Sequence, residues 1–295
     1  MHSKHIQPAN ENETVIAIEG LAQEITLLHI TDSHMATADH RDPDALEHAD
    51  RFQALFEERT PGNVPPRQLF AQALAHSNTI NADATVLTGD IIHFPSQAAI
   101  GWIEQGLQSL QNPYLYTLGN HDWHFPHLDW NDNTRHAHYH RFNHLTNNSP
   151  AAQVLDLADV RLIAIDNSNY HVAAEQLDFL CEQLSTDRPC LLFIHIPIAA
   201  DTLIPDVVEV WKDPIVMGAD SWSEEGQKKW RVYDNDQSTL ACCQLLKEQA
   251  QNLVAVFCGH VHFPHADEIH PGCMQYVTRP CYEGGYREIK LKPLG

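Results

Sequence analysis

The stretch "LYTLGNHDWH", residues 115–124, decides how this chain is read. Its first residues have the character of a buried strand end. The chain then turns at Gly119 and sets Asn120, His121 and Asp122 side by side. An amide, an imidazole and a carboxylate are costly to bury without partners. Four other apolar runs end in the same way. "ITLLHI" (25–30) leads into "TDSHM", with Asp32 and His34, and "ATVLT" (84–88) leads into "GDIIH", with Gly89 and Asp90. "CLLFIH" (190–195) ends in His195, and "LVAVFC" (253–258) leads into "GHVH", with His260 and His262.

Further strands are expected at 14–19, 114–118, 160–165, 274–279 and 286–292, and helices at about 43–59, 66–80, 97–110, 173–185 and 238–251. Pro43 and Pro66 are helix-start signals. Strands alternating with helices predict an α/β layered fold with central strands buried on both faces. In such sheets ligands gather outside the carboxyl ends of the strands, so the five clusters are expected to converge on one crevice.

Asp32, His34, Asp90, Asn120, His195, His260 and His262 would then form one donor set, which a pair of metal ions would satisfy. In DxH and HxH the two outer side chains can share one direction along an extended segment. A carboxylate has two oxygens, so Asp90 can bridge. The mixed nitrogen and oxygen set suits Mn, Fe, Zn or Co better than Ca or Mg. Glycines at 89, 119 and 259 allow tight turns at the site.

Composition sets the limits. At 295 residues the chain suits one α/β domain spanning 1–295, with 1–13 as a polar N-terminal extension. Its 39 acidic residues against 18 basic ones give a net charge of -21, so extended nucleic acid is not an expected partner. A small anion can still bind where local positive charge outweighs that field. No secretory signal and no membrane-spanning segment is read. The seven cysteines are scattered and form no CxxC, which fits reduced thiols and a cytoplasmic location. Two long connections stand out: 122–150, rich in His and aromatics, and 199–236, with Trp211, Trp222 and Trp230. Both are expected to be lids or interface insertions, which leaves a homo-oligomer open. His136, His140 and His144 would share a face if 134–145 were helical; a solvated face is expected there rather than a third metal site.

The ordered set of DxH, GD, GNHD, a lone strand-end His and GHxH, from about 25 to 265, resembles the calcineurin-like metallophosphoesterases. The tail "QYVTRPCYEGGYREIKL" (275–291) resembles the closing strands of their cyclic-nucleotide and glycerophosphodiester phosphodiesterase branch. The resemblance implies a four-layer α-β-β-α sandwich and two divalent or mixed-valence transition metal ions (Mn, Fe or Zn). It implies one ion held by Asp32, His34, Asp90 and His262, and another by Asp90, Asn120, His195 and His260. It also implies that His121 works on the phosphoryl group, with Asp122 orienting it.

The implied activity is hydrolysis of a small phosphodiester, a cyclic nucleotide or a glycerophosphodiester, by metal-activated water. The alternatives are a phosphomonoesterase acting on nucleotides or sugar phosphates, and an inert scaffold. Where purple acid phosphatases place a Tyr ligand, three residues after the GD Asp, this chain has His93. Arg279, Tyr282, Tyr286 and Arg287 are candidates for contact with a substrate's phosphate or base, with core-edge packing and surface salt bridges as the alternative reading, and His93 and His124 either line the pocket or take supporting or surface positions.

Overall fold

A computed structural model describes residues 2–6 and 10–294 of the chain. The strands in chain order are β1 (Ser3–Ile6), β2 (Glu13–Ile18), β3 (Ile25–Ile30), β4 (Ala84–Thr88), β5 (Tyr114–Thr117), β6 (Ala152–Leu157), β7 (Val160–Ile165), β8 (Cys190–Phe193), β9 (Leu253–Cys258), β10 (His265–His270), β11 (Cys273–Val277) and β12 (Arg287–Pro293). The α-helices are α1 (Leu46–Glu57), α2 (Pro66–Thr79), α3 (Gln97–Leu107), α4 (Asn120–Trp123), α5 (Asp132–Tyr139), α6 (Ala174–Leu184), α7 (Leu203–Trp211), α8 (Glu224–Trp230) and α9 (Gln237–Gln244).

The strands build two six-stranded sheets, ordered β1-β2-β12-β3-β4-β5 and β10-β11-β9-β8-β7-β6. In the first sheet β3, β4 and β5 run parallel; in the second β7, β8, β9 and β11 do. Side-chain alternation sorts the residues of each strand into two layers. Leu27 of β3 faces the other sheet, where it meets Phe193 and Phe257. Leu28 and Ile30 face outward onto Phe70 and Leu74 of α2 and Ile100 and Ile103 of α3. On the far side, Leu192 and Val256 pack with Leu180 of α6, Val207 of α7 and Cys242 of α9. The result is the expected four-layer α-β-β-α sandwich, with an apolar seam between the sheets.

Three strands escaped the sequence reading. Ser3–Ile6 lies inside the segment expected to extend from the domain, yet it pairs antiparallel with β2. Residues 1 and 7–9 of that segment lie outside the described residues. The His5 ring of β1 crosses to the second sheet, with Nδ1 2.8 Å from the Tyr276 hydroxyl and Nε2 3.1 Å from the Val254 carbonyl. β6 and β10, the other two, are edge strands of the second sheet.

The 199–236 segment carries α7 and α8, and Trp211, Trp222 and Trp230 pack on the outer core of the second sheet. In 122–150, α5 ends at Tyr139 and the chain continues as a tighter 3-10 turn over His140–Leu145, so 134–145 is not one continuous α-helix. Among the described residues, the groups that could hold a metal ion do not include His136, His140 or His144. Among the described residues no helix is long and apolar enough to cross a membrane. The seven cysteines are free thiols, and all but Cys181 are buried.

Candidate metal centre

The carboxyl ends of β3, β4, β5, β8 and β9 open on one crevice, and the seven donors read from the sequence meet there. The ladder continues past the strand ends: the Asp32 amide donates to the Gly89 carbonyl (3.0 Å) and the His34 amide to the Asp90 carbonyl (2.9 Å). From the turn between β11 and β12, the Tyr282 amide donates to the Asp32 carbonyl (3.2 Å).

The side chains converge by a different route from the one expected. DxH and HxH are not extended. Asp32, His34, Asp90, His260 and His262 have φ of 52°, 47°, 50°, 71° and 62°. Left-handed backbone at non-glycine residues is costly and persists where surrounding contacts enforce it, typically at functional sites.

The donors fall into two groups. In the first, His34 Nε2 lies 3.0 Å from His262 Nε2, 3.8 Å from Asp32 Oδ1 and 3.8 Å from Asp90 Oδ2, while His262 Nε2 lies 3.3 Å from Asp32 Oδ1. In the second, His195 Nε2 lies 3.2 Å from Asp90 Oδ2, 3.1 Å from Asn120 Oδ1 and 3.3 Å from His260 Nδ1. A single oxygen, Asp90 Oδ2, therefore faces both groups. The first group thus gathers Asp32, His34, Asp90 and His262, and the second Asp90, Asn120, His195 and His260.

The arrangement fits cations. Asp32 Oδ1 is buried without a hydrogen-bond partner, and it points at the first group. Its sister oxygen Oδ2 is already occupied by the Thr31 hydroxyl (2.7 Å) and the His260 amide (3.0 Å). Two imidazole nitrogens facing each other at 3.0 Å are well matched by a positive ion between them. Burial, reinforced by neighbouring imidazoles, holds His34 and His260 well below the ordinary histidine value, so both rings are neutral, as ligation requires. Burial also disfavours charge on His195, but Asp90 outweighs it and holds that ring at about 9. In the metal-free chain a proton thus lies between His195 and Asp90, and metal binding would release it.

The outward nitrogens of these rings are anchored. His195 Nδ1 donates to the Thr88 carbonyl (2.7 Å), while His260 Nε2 meets the Tyr170 hydroxyl (3.0 Å) and His262 Nδ1 the Tyr282 hydroxyl (3.2 Å). Such partners fix ring orientation and tautomer. Asn167 accepts from the His195 and Ile196 amides (3.1 and 3.0 Å) and so holds the end of β8. Tyr170 and Asn167 were missed in the sequence. The signal was available, because "DNSNY" (166–170) follows β7 just as the other clusters follow their strands.

His121 stands beside the oxygen-sharing Asp90, with its ring edge-on to His34 of the first group (centroids 5.0 Å apart). Its amide donates to Asp90 Oδ1 (2.7 Å), its ring stacks on His93 (centroids 4.2 Å apart), and its Nδ1 faces the His93 carbonyl (3.2 Å). His93 Nδ1 in turn lies 3.1 Å from His34 Nδ1. Asp122 does not orient His121. Its carboxylate accepts the backbone amides of Asp90 (2.8 Å), Gly119 (2.8 Å) and Ile92 (3.2 Å), which ties the β4 loop to the β5 loop. Burial and the nearby Asp90 charge push Asp122 up to about 7. The orienting group for His121 is the His93 carbonyl, which no sequence pattern could display.

The wall around the centre is aromatic. Phe56 of α1 lies flat on His34 (4.6 Å, 5°) and edge-on to Tyr282 (5.2 Å). Trp211 lies edge-on to His262 (centroids 5.5 Å apart) and donates its indole N–H to the Val261 carbonyl (2.8 Å). Trp222 packs edge-on against Tyr170 (5.9 Å). The 199–236 segment thus leans on both groups. His124 is held by the Leu128 carbonyl (2.9 Å), outside the donor groups.

The glycines are here for two reasons. Gly89 has φ +84°. Gly119 and Gly259 are glycine because of close approach: a Cβ on Gly119 would strike Asp90, and one on Gly259 would strike Thr31 and Asp32. Gly259→Ala is therefore expected to lower stability by about 1–3 kcal/mol through overpacking, and to abolish the melting-temperature gain on adding Mn²⁺. Thermal melts with and without the ion check both.

The sequence matches the family description "Calcineurin-like phosphoesterase" over residues 25–264. The chain belongs to that family. A relative of this phosphoesterase, the "cAMP/cGMP dual specificity phosphodiesterase" of Mycobacterium tuberculosis, is 26% identical over 217 residues, covering 68% of this chain and 59% of the relative. The match therefore spans about three fifths of that relative's length. A "Probable cyclic nucleotide phosphodiesterase" of Moraxella catarrhalis is 34% identical over 61 residues, covering 21% of this chain and 22% of the relative. Among solved structures, a dimetal phosphatase from Danio rerio superposes with a TM-score of 0.52 at 12% identity, covering 88% of each chain. At that identity the likeness concerns the fold. For this phosphoesterase it agrees with the four layers found.

Proposed function

We propose that this phosphoesterase hydrolyses a small phosphodiester, with cyclic nucleotides and glycerophosphodiesters as the first candidates. Two transition metal ions (Mn, Fe or Zn) would be held by Asp32, His34, Asp90 and His262, and by Asp90, Asn120, His195 and His260. The observation that carries this reading is the single oxygen, Asp90 Oδ2, aimed at both His34 and His195. When bound, such a pair neutralises phosphoryl charge and activates a water. The protein's own groups do the rest. Asp90 Oδ1 holds the His121 amide, the His93 carbonyl turns the ring, and His121 Nε2 is left to carry a proton to the leaving oxygen. The named activities of the curated relatives support a diester of this size.

The placement of two basic residues supports a diester over a monoester. Arg287 is buried between the sheets against Thr14, Thr278 and the Val277 carbonyl, and Arg279 pairs with Glu11 at 3.2 Å. Neither is turned to meet the extra charge of a monoester. The monoesterase reading draws on Arg59 instead, whose guanidinium stands 5.5 Å over Phe56, the ring stacked on His34.

The deciding experiment is Mn²⁺-dependent hydrolysis of bis-p-nitrophenyl phosphate against p-nitrophenyl phosphate, with chelator-treated protein as control. Faster diester turnover is expected, lost on chelation. Faster monoester turnover would move the assignment to a phosphatase. Absence of turnover on both, with metal bound, would point to an inert scaffold.

A further inference from the structure

Behind the centre, inside the apolar seam, runs a line of polar side chains. Arg287, only 4% exposed, donates through Nε to the Thr278 hydroxyl (3.0 Å). That hydroxyl lies 2.9 Å from His29 Nδ1, and His29 Nε2 lies 2.6 Å from the Thr88 hydroxyl. The Thr88 carbonyl then accepts from His195 Nδ1 (2.7 Å). Every side chain along this line is at least nine-tenths buried.

One end of the line is fixed: a guanidinium only donates, so the Thr278 oxygen accepts from Arg287. The neutral His29 ring then meets one hydroxyl with each nitrogen, Thr278 at Nδ1 and Thr88 at Nε2, one as donor and one as acceptor. Burial, with Arg287 nearby, holds His29 at about 3, so its ring stays neutral. His29 occupies an inward position of β3, in step with Ile25 and Leu27, with the Phe193 and Phe257 rings 5.8 and 6.0 Å away. An apolar side chain would suit those neighbours better. A fully satisfied buried network instead rigidifies its surroundings and selects one arrangement of them.

We propose that His29 is a positioning residue for the metal centre: held from behind by Thr278 and Arg287, it fixes Thr88 and, through the Thr88 carbonyl, the ring of His195. This rests on the metal-centre reading above. His29 touches none of the seven donors itself; it acts through the strand end that His195 leans on.

Calorimetric titration with Mn²⁺ tests this on the full chain, comparing wild type, His29→Leu, His29→Gln and Thr278→Val, with melting of each metal-free form alongside. Wild type is expected to take up two ions. Thr278→Val keeps the volume and removes only the hydroxyl. It and His29→Leu are expected to weaken one of the two binding events by about 10-fold or more, while His29→Gln, which keeps a donor and an acceptor, restores most of the affinity. Two unweakened binding events in His29→Leu and Thr278→Val would overturn the inference alone, even if metal-free melting fell, because that pattern marks a packing role. Absence of Mn²⁺ uptake by the wild type would overturn the metal-centre reading and this inference with it.

Discussion

His121→Ala is expected to lower kcat on bis-p-nitrophenyl phosphate by about 10²–10⁴-fold, the range for losing a positioned acid or base, while both ions stay bound. The contact that ties residue 121 to the donors is its backbone amide on Asp90 Oδ1, and alanine keeps that amide. What is lost is a ring packed between His93 and His34 with Nδ1 committed to a carbonyl. KM should change far less than kcat, because the proton is needed in the transition state rather than for binding. Metal content and steady-state kinetics on the same preparation read both effects. Unchanged turnover would remove His121 from the chemistry. Loss of an ion would place it instead with His34 and His93, whose nitrogens lie close enough to form a donor group with it.

Asp90→Asn is expected to lower two quantities at once. Metal affinity should fall by more than about 100-fold, beyond the loss typical of partners behind the ligands, since the substitution removes the one anionic oxygen facing both groups. The metal-free protein should also lose stability at neutral pH. Asp90 holds the buried His195 ring up at about 9, and His195 and His121 overcome burial to hold Asp90 below the usual carboxylate range. Breaking that pair outweighs the relief of Asp122, which the Asp90 charge helps push up to about 7. Melting with chelator should therefore move down, and the gain on adding Mn²⁺ should disappear. Full occupancy of both sites in the variant would refute the bridging role.

Much of this was legible because the chemistry sits where apolar runs stop. Strands such as "ATVLT" and "LVAVFC" are buried along their whole length, so their composition announces them, and the polar residues that follow are conspicuous. The edge strands were not legible. "SKHI" and "HADEIH" are half exposed and polar, and they become strands through the neighbour they pair with. The role of Asp122 was misread for a related reason. A carboxylate next to a histidine in sequence suggests a pair, but its partners are three backbone amides that a sequence does not display. For Arg287 the sequence left substrate contact and packing open, because charge is rarely buried; the strand alternation of β12 decides for packing by turning it inward with Ile289 and Leu291. The left-handed turns at Asp32, His34, His260 and His262 went unforeseen because none of these is glycine.

Each donor group draws from both sheets: Asp32, His34 and Asp90 of the first meet His262, while His195 and His260 of the second meet Asp90 and Asn120. Two ions would therefore clasp the halves of the sandwich at one end. At the other end the His5 ring of β1 already laces the halves together, at Tyr276 and Val254. The metal end has protein ties of its own, from His195 to the Thr88 carbonyl, from His29 to Thr278 and from the His260 amide to Asp32. The sandwich is thus laced at both ends by its own side chains, so stripping any ions would loosen one end without freeing it, and the apolar seam between would keep the halves together.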